Sequence, residues 1–227
     1  MTTLVGIKAE KGNPGIILGS DMNQTRTSWD AQGDFAQRRQ TKSEVQKIYV
    51  NNNNTAAICM AGAVDSAYAS FLYDFLESKF DLEKITKEGF FGDILKLNLD
   101  RWEGKIPNLD RLSGFLLATR YNEPKLYSCW PLGAVEERSY TSVGSGSNFA
   151  LDYLDSFNMR IPKGISIEDG IDLAVGSLEK ASQDIYTGGL DLIVLTKDKI
   201  LDLGSKIREN INSARLNSIE EAKKSIK

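Results

Sequence analysis

Strand-like runs that bracket two pairs of helical stretches are the feature that most constrains the fold of this 227-residue chain. Residues 4–10 and 15–21 are rich in strand-forming residues and are separated by a Gly- and Pro-containing turn, which predicts a hairpin. This order of elements favours two sheets packed face to face with helices outside. Further strands are predicted at residues 47–50, 55–62, 114–120, 124–130, 136–144 and 190–196, and helices at 63–80, about 90–102, 148–157 and 166–182.

Two of the predicted helices carry specific signals. Apolar residues recur at helical spacing through residues 63–80, which indicates an amphipathic helix. The stretch at 166–182 opens with Ser166 and Asp169 in a capping-box arrangement.

Composition narrows the classes of partner. The net charge is −3, and basic residues alternate with acidic ones, so we expect no nucleic-acid partner. No stretch approaches the length of a membrane span and no signal peptide is apparent, so we expect a cytoplasmic protein without a membrane contact. Cys59 and Cys129 lie in strand-like runs, which suits buried free thiols better than a disulfide or a metal site.

The chain contains no histidine. A Ser-His-Asp or Cys-His site is therefore excluded, and a zinc site would lack its commonest nitrogen ligand. If the chain is a hydrolase, its base must be a carboxylate, a lysine with a lowered pKa or the α-amino group of the chain itself. We expect no cofactor.

A strand-like run that begins at the third residue indicates a terminus held in the interior.

A set of motifs occurs in a fixed order along the chain: MTTLVGI, GSDMNQT, the lysine of QKIYV, ICMAGAVDSA, SVGSGS and QDIYTGGLDLIVLTKD. Together they resemble the catalytic β subunit of the archaeal-type proteasome, an N-terminal-nucleophile hydrolase. The resemblance runs from Thr2 to about Gly204 and implies an α+β fold, a four-layer αββα sandwich. It predicts one domain at residues 1–204, followed by a charged, helical extension at 205–227.

The family's nucleophile falls on Thr2, which requires removal of Met1. The hydroxyl of Thr2 would attack a peptide carbonyl, and its freed amine would take the proton. This implied mechanism supplies the base that the missing histidines cannot. From the Thr2-Thr3 dipeptide alone, a β-branched strand start would be the preferred reading.

Lys47 matches the family's catalytic lysine, and Asp21 matches the acid that orients it. A cation beside the hydroxyl favours the developing alkoxide and keeps the amine neutral. Gly62 would offer its N–H to the oxyanion. Without the resemblance, an exposed strand lysine, a turn aspartate and a turn glycine would be the expected readings.

Ser145, Asp184 and Thr187 match the polar groups that surround the threonine amine in the family. The family usually has serine where Thr187 stands, but the exchange keeps a hydroxyl. The alternatives are a flexible turn for the GSGS motif and a tight turn for TGG.

The substrate pocket is implied by Met60 at its floor, with Gln24 and Thr25 forming its wall and pairing with the substrate main chain. An uncharged, apolar floor favours leucine, phenylalanine or tyrosine before the cleaved bond. The segment between Asp21 and Lys47 is longer than the resemblance predicts, and we expect its stretch TSWDAQGDFAQRRQ to form a loop beside the cleft.

The predicted function is a threonine-type endopeptidase subunit of a proteasome-like ring particle. The implied partners are other β subunits, α-type subunits, an ATP-dependent unfoldase and polypeptide substrates. Two alternatives stay open: a non-catalytic structural ring subunit, and an N-terminal-nucleophile hydrolase or ligase that acts on other amides.

Overall fold

The first sheet holds the start of the chain in one of its interior strands. Its strands are β1 (Thr3–Ala9), β2 (Gly15–Ser20), β10 (Tyr140–Gly144), β11 (Asp191–Thr196) and β12 (Ile200–Asp202), antiparallel in the order β10-β1-β2-β11-β12. This computed structural model describes residues 2–32, 35–62, 72–79, 114–129, 135–157, 161, 164–184 and 188–204, with only the main chain at 23–32 and 35–44.

The second sheet also has five antiparallel strands, and its order follows the sequence. The predicted strands on both sides of the asparagine-rich turn at 51–54, and those at 114–120 and 124–130, are confirmed. Their bounds are β5 (Ile48–Val50), β6 (Ala56–Ala61), β7 (Gly114–Thr119), β8 (Lys125–Cys129) and β9 (Val135–Glu137).

Two helices cover the outer face of the first sheet: α1 (Ser147–Asp155) and α2 (Ile167–Ala181). The capping box predicted at the start of α2 is confirmed, because the Ser166 hydroxyl accepts from the Asp169 N–H while the Asp169 carboxylate accepts from the Ser166 N–H. Within the predicted helix at 63–80, residues 72–76 are described and are helical. The predicted helix at about 90–102 and the extension at 205–227 lie outside the described residues.

Three apolar clusters define the layers. Val5 and Ile7 of β1 face a cluster with α1 and α2, whereas Leu4 faces a cluster between the two sheets. The third cluster lies on the outer face of the second sheet, where Phe75 packs against Phe115. Alternate strand residues therefore bury both faces of each sheet, and the predicted αββα sandwich is confirmed.

The prediction of a single strand at residues 136–144 is wrong. The chain instead leaves β9 of the second sheet and enters β10 of the first. At the crossing, the Arg138 N–H donates to the Leu126 carbonyl in one sheet, and the Ser139 carbonyl accepts from the Lys8 N–H in the other. Residues 136–144 pair with both sheets, so the strand is interrupted at Arg138 and Ser139, where the hydrogen-bond partners change from one sheet to the other.

The predicted loop between Asp21 and Lys47 is also wrong. Residues there form a two-stranded sheet of β3 (Asn23–Gln32) and β4 (Phe35–Glu44), paired in unbroken register from Asn23 opposite Glu44 to Gln32 opposite Phe35. The Val45 N–H donates to the Met22 carbonyl at 2.8 Å and closes the base of the hairpin. The ladder satisfies the main-chain groups, so an apolar face is not needed to define these strands.

Both cysteines are buried free thiols, as predicted. Cys59 faces the cluster between the sheets and Cys129 the outer cluster, so the second sheet separates their side chains. Burial raises the pKa of the Cys129 thiol to about 12. Among the described helices, none has both the length and the apolar character to span a membrane.

Shortening the β3–β4 hairpin should leave the sandwich folded. Replacing residues 26–41 by Asn-Gly keeps the facing pair Thr25 and Lys42 and supplies a two-residue turn. The free energy of unfolding, measured by urea titration, should change by less than about 1 kcal/mol because the main-chain bond from Val45 to Met22, which closes the base of the hairpin, is kept. Val45→Pro is the control, since it removes the N–H that closes the hairpin base and should destabilise the protein more. A larger loss from the shortened hairpin would show that it supports the core.

Candidate active site

The N-terminal threonines lie at the start of β1, the strand of the first sheet between β2 and β10. Thr3 is fully buried, whereas Thr2 keeps 8% of its surface exposed. The structure therefore holds the terminus in the interior, as the sequence indicated. Of these two neighbouring hydroxyl-bearing residues, Thr2 is the less completely buried.

A buried ion pair lies beside this terminus. The Lys47 ammonium donates to Asp21 Oδ1 at 2.8 Å, and the two side chains are 8% and 0% exposed. Asp21 follows β2 and Lys47 precedes β5, so the closed base of the β3–β4 hairpin brings them together. The two predicted catalytic residues are thus in direct contact.

Burial lowers the pKa of Lys47 from its ordinary value of 10.5, and the charge and hydrogen bond of Asp21 oppose that shift. The lowering is what desolvation does to an ammonium group, and the carboxylate limits it. Lys47 is consequently more easily deprotonated than an exposed lysine.

Asp21 also makes two hydrogen bonds with the main chain of Thr3. Its Oδ1 accepts from the Thr3 N–H at 2.7 Å, and its own N–H donates to the Thr3 carbonyl at 3.0 Å. One carboxylate oxygen therefore receives hydrogen bonds from both the lysine and the chain terminus. This links the position of Lys47 to that of Thr2.

The GSGS motif contacts the other side of the terminus. The Ser145 N–H donates to the Thr2 carbonyl at 2.9 Å, and the Gly146 N–H donates to Thr3 Oγ1 at 3.1 Å. Gly144 has φ +114, and a Cβ added there would lie 1.7 Å from the Thr2 carbonyl oxygen. Only glycine permits this close approach. Ser145 contacts Thr2 through its main chain, and the predicted role of its side chain stays a prediction.

The turn after α2 lies next to Asp21. The Met22 N–H donates to the Gly188 carbonyl at 2.8 Å, and a Cβ added at Gly189, which has φ +74, would lie 2.9 Å from the Met22 Cβ. Asp184 is half-buried and its N–H donates to the Ala181 carbonyl at the end of α2. Thr187 lies outside the described residues, and the predicted roles of Asp184 and Thr187 stay predictions.

The proposed oxyanion and pocket residues lie around the end of β6. Gly62 follows this strand, is exposed and has φ +117, a conformation that favours glycine. Met60 is buried in the outer cluster with Phe75 and Phe115. The main chains of Gln24 and Thr25 belong to β3 near its base. Contact of these residues with a substrate stays a prediction.

Sequence reasoning missed the contribution of Thr3, Gly144 and Gly146. Each acts through a main-chain or buried hydroxyl contact made across a long stretch of sequence. The glycines of the GSGS motif were the available signal, since repeated glycine can mark close approach of two main chains.

The arrangement can activate a hydroxyl without histidine. It provides the Thr2 hydroxyl, a buried lysine with a lowered pKa and a carboxylate that binds this lysine and the N–H of Thr3, the next residue. A lysine near a hydroxyl can stabilise an alkoxide as it forms, and fixed geometry lowers the cost of bringing the groups together.

Asp21→Asn should lower the free energy of unfolding by about 3–5 kcal/mol because it removes the carboxylate that pairs with the buried Lys47 ammonium. The substitution should also lower the pKa of Lys47 further, since Asp21 raises that pKa in the native protein. A lysine whose pKa falls on folding binds fewer protons in the folded state. The stability of the variant should therefore rise as the pH approaches 10.5. Urea titrations across pH measure both effects.

The control is the uncharged pair Asp21→Asn with Lys47→Met, which should recover much of the lost stability. It should also lose the rise in stability at alkaline pH. Equal instability of the single and double variants would show that the ion pair is not the cause.

The chain has clear relatives among known proteins. A family model described as "Proteasome subunit" matches residues 112–195. Proteasome subunit beta 2 of Pyrococcus furiosus is 39% identical over 204 residues, which cover 87% of this chain and 88% of that protein. Proteasome subunit beta 2 of Thermococcus onnurineus is 30% identical over 211 residues, covering 88% and 93%. Proteasome subunit beta 1 of Thermococcus gammatolerans is 28% identical over 204 residues, covering 89% and 92%. With this coverage and the αββα sandwich, the chain belongs to the proteasome β-subunit family.

Proposed function

We propose that this chain is a catalytic proteasome subunit, a threonine-type endopeptidase whose nucleophile is Thr2 after removal of Met1. The observation that carries the proposal is the shared carboxylate of Asp21, which binds both Lys47 and the main chain of Thr3. A purely structural subunit has no need for a buried lysine beside its own terminus, because a buried ion pair adds little net stability.

In the proposed reaction, Thr2 Oγ forms a bond to the carbonyl carbon of a peptide while its proton passes to the α-amine, directly or through water. The Lys47 ammonium stabilises the alkoxide as it develops. The Gly62 N–H is proposed to donate to the oxyanion. The C–N bond then breaks, the leaving amine takes the proton, and water hydrolyses the resulting ester to free Thr2.

The proposed base fits the electrostatics of the terminus. An α-amine has an ordinary pKa of about 7.7–8.0, so it can be neutral near physiological pH. A neighbouring lysine cation favours the neutral form further. Ser145, Asp184 and Thr187 are proposed to orient the amine.

We also propose a ring assembly in the cytoplasm. The family relationship supports a ring of β subunits stacked on α-type subunits, and an ATP-dependent unfoldase would deliver polypeptides to it. The helix predicted at residues 63–80, with the exposed Tyr73 in its described part, is the proposed contact with neighbouring subunits.

Thr2→Ala should abolish peptide hydrolysis while changing the free energy of unfolding little, because it removes one hydroxyl and keeps the main-chain hydrogen bond from Ser145 to Thr2. Thr2→Ser, which keeps a hydroxyl, should retain turnover. Fluorogenic peptides measure the rate and intact mass measures loss of Met1 in the same particles. If Met1 is retained and peptides are not cleaved, the structural ring subunit is the correct function. Turnover of small amides but not peptides would favour the other hydrolase or ligase alternative.

The cleavage preference should be for leucine, phenylalanine or tyrosine before the cleaved bond, because Met60 offers an uncharged, apolar floor. Burial of such a side chain contributes about 1.5–3 kcal/mol. A peptide series ending in apolar, basic or acidic residues measures kcat/KM for each class. Met60→Glu should reduce cleavage after apolar residues and favour basic ones.

The variant with residues 26–41 replaced by Asn-Gly separates the pocket from the hairpin. If the native protein prefers arginine or glutamate and the shortened protein prefers leucine, the hairpin and not Met60 sets the preference. If both prefer charged residues, Met60 is not the pocket floor.

A further inference from the structure

Thr3 is the buried neighbour of the proposed nucleophile, and its N–H, carbonyl and hydroxyl groups each make a hydrogen bond. Its N–H donates to Asp21 Oδ1, its carbonyl accepts from the Asp21 N–H, and its Oγ1 accepts from the Gly146 N–H. The first two bonds need only the main chain. The third needs a hydroxyl, and a valine of the same shape could not make it.

The hydroxyl bond reaches the start of α1. Gly146 is the N-cap residue of this helix and has no side chain with which to cap it, and the first turn of α1 carries no acidic residue. Thr3 Oγ1 therefore supplies an acceptor from a distant strand at the point where a helix N-terminus leaves its N–H groups unpaired.

The same segment holds the carbonyl of Thr2. The Ser145 N–H donates to that carbonyl at 2.9 Å, and Gly146 follows directly in the chain. The peptide group between Thr2 and Thr3 is thus fixed at both ends, by Ser145 at its carbonyl and by Asp21 at its N–H. Movement at Gly146 would be passed to Ser145 and from there to Thr2.

We propose that Thr3 is a positioning residue for the reaction: its hydroxyl anchors the start of α1 to β1 and so fixes the orientation of Thr2 toward Lys47. The inference rests on the proposed function. It assigns Thr3 no contact with the substrate and no proton transfer. It predicts a loss in kcat and not in KM, because the group that moves is the nucleophile and not the substrate pocket.

The test compares Thr3→Val with Thr196→Val. Thr196 is also fully buried, lies at the far end of the same sheet, and its Oγ1 likewise accepts a main-chain N–H at 3.1 Å, from Lys199. Both variants lose a buried hydroxyl, but only the Thr3 hydroxyl is hydrogen-bonded to the segment that contacts Thr2. Thr3→Val should lower kcat by about tenfold or more with KM nearly unchanged, since small displacements of reacting groups are costly. Thr196→Val should keep native kcat, and Thr3→Ser should restore it.

A second pair of variants covers the case in which Thr3→Val does not fold. Gly146→Pro removes the donor and leaves Thr3 intact, while Gly146→Ala keeps the N–H; the φ of −90 at this position suits alanine and lies near the proline range. Gly146→Pro should lower kcat as Thr3→Val does, and Gly146→Ala should not.

If the native enzyme cleaves peptides and Thr2→Ala does not, the proposed function stands. In that case, a native kcat in Thr3→Val or Gly146→Pro would overturn the inference on Thr3 alone. A change confined to KM in these variants would overturn it as well. A native protein that lacks all peptide hydrolysis with Met1 removed would instead overturn the proposed function, and the positioning role with it.

Discussion

The buried ion pair of Asp21 and Lys47 is the interaction on which the candidate site depends. Charges removed from water are costly unless they are paired and hydrogen-bonded, so each of these side chains requires the other. Asp21 also accepts a hydrogen bond from the Thr3 N–H. The terminus of the chain is therefore positioned by the same charge that keeps the lysine in the interior.

This dependence explains how a long hairpin can be tolerated between the two residues. The main-chain bond from Val45 to Met22 closes β3 and β4 at their base, next to the ion pair. The base of the hairpin and the ion pair together hold Asp21 and Lys47 in contact. Variation in the hairpin can alter the surroundings of the cleft while Asp21 and Lys47 stay in contact.

Much of the fold could be predicted from local patterns. Ser166 and Asp169 predicted the start of α2, and apolar runs predicted the main strands of both sheets. The hairpin was predicted as a loop because its polar sequence lacks an apolar alternation, although Gly33-Asp34 is typical of a two-residue turn. The break at Ser139 was missed because a change of sheet depends on partners distant in sequence.

Less of the candidate site could be predicted from local sequence patterns. Asp21 and Lys47 could be paired only through resemblance to a family, since an isolated aspartate and lysine have no distinctive local signal. The bonds of Thr3 to Asp21 and Gly146 are properties of the folded chain and could not be predicted from spacing. The family relationship explains why these residues meet, and the geometry explains what holds them.

The proposed mechanism places both the nucleophile and the base on Thr2. A peptide electrophile with an epoxide beside a ketone tests it directly, because closing a ring on one residue requires both a hydroxyl and a free amine there. Peptide mapping by mass spectrometry should find the ring adduct on Thr2 in particles that lack Met1. An adduct at another residue, or no adduct on Thr2 when Met1 is absent, would contradict the account.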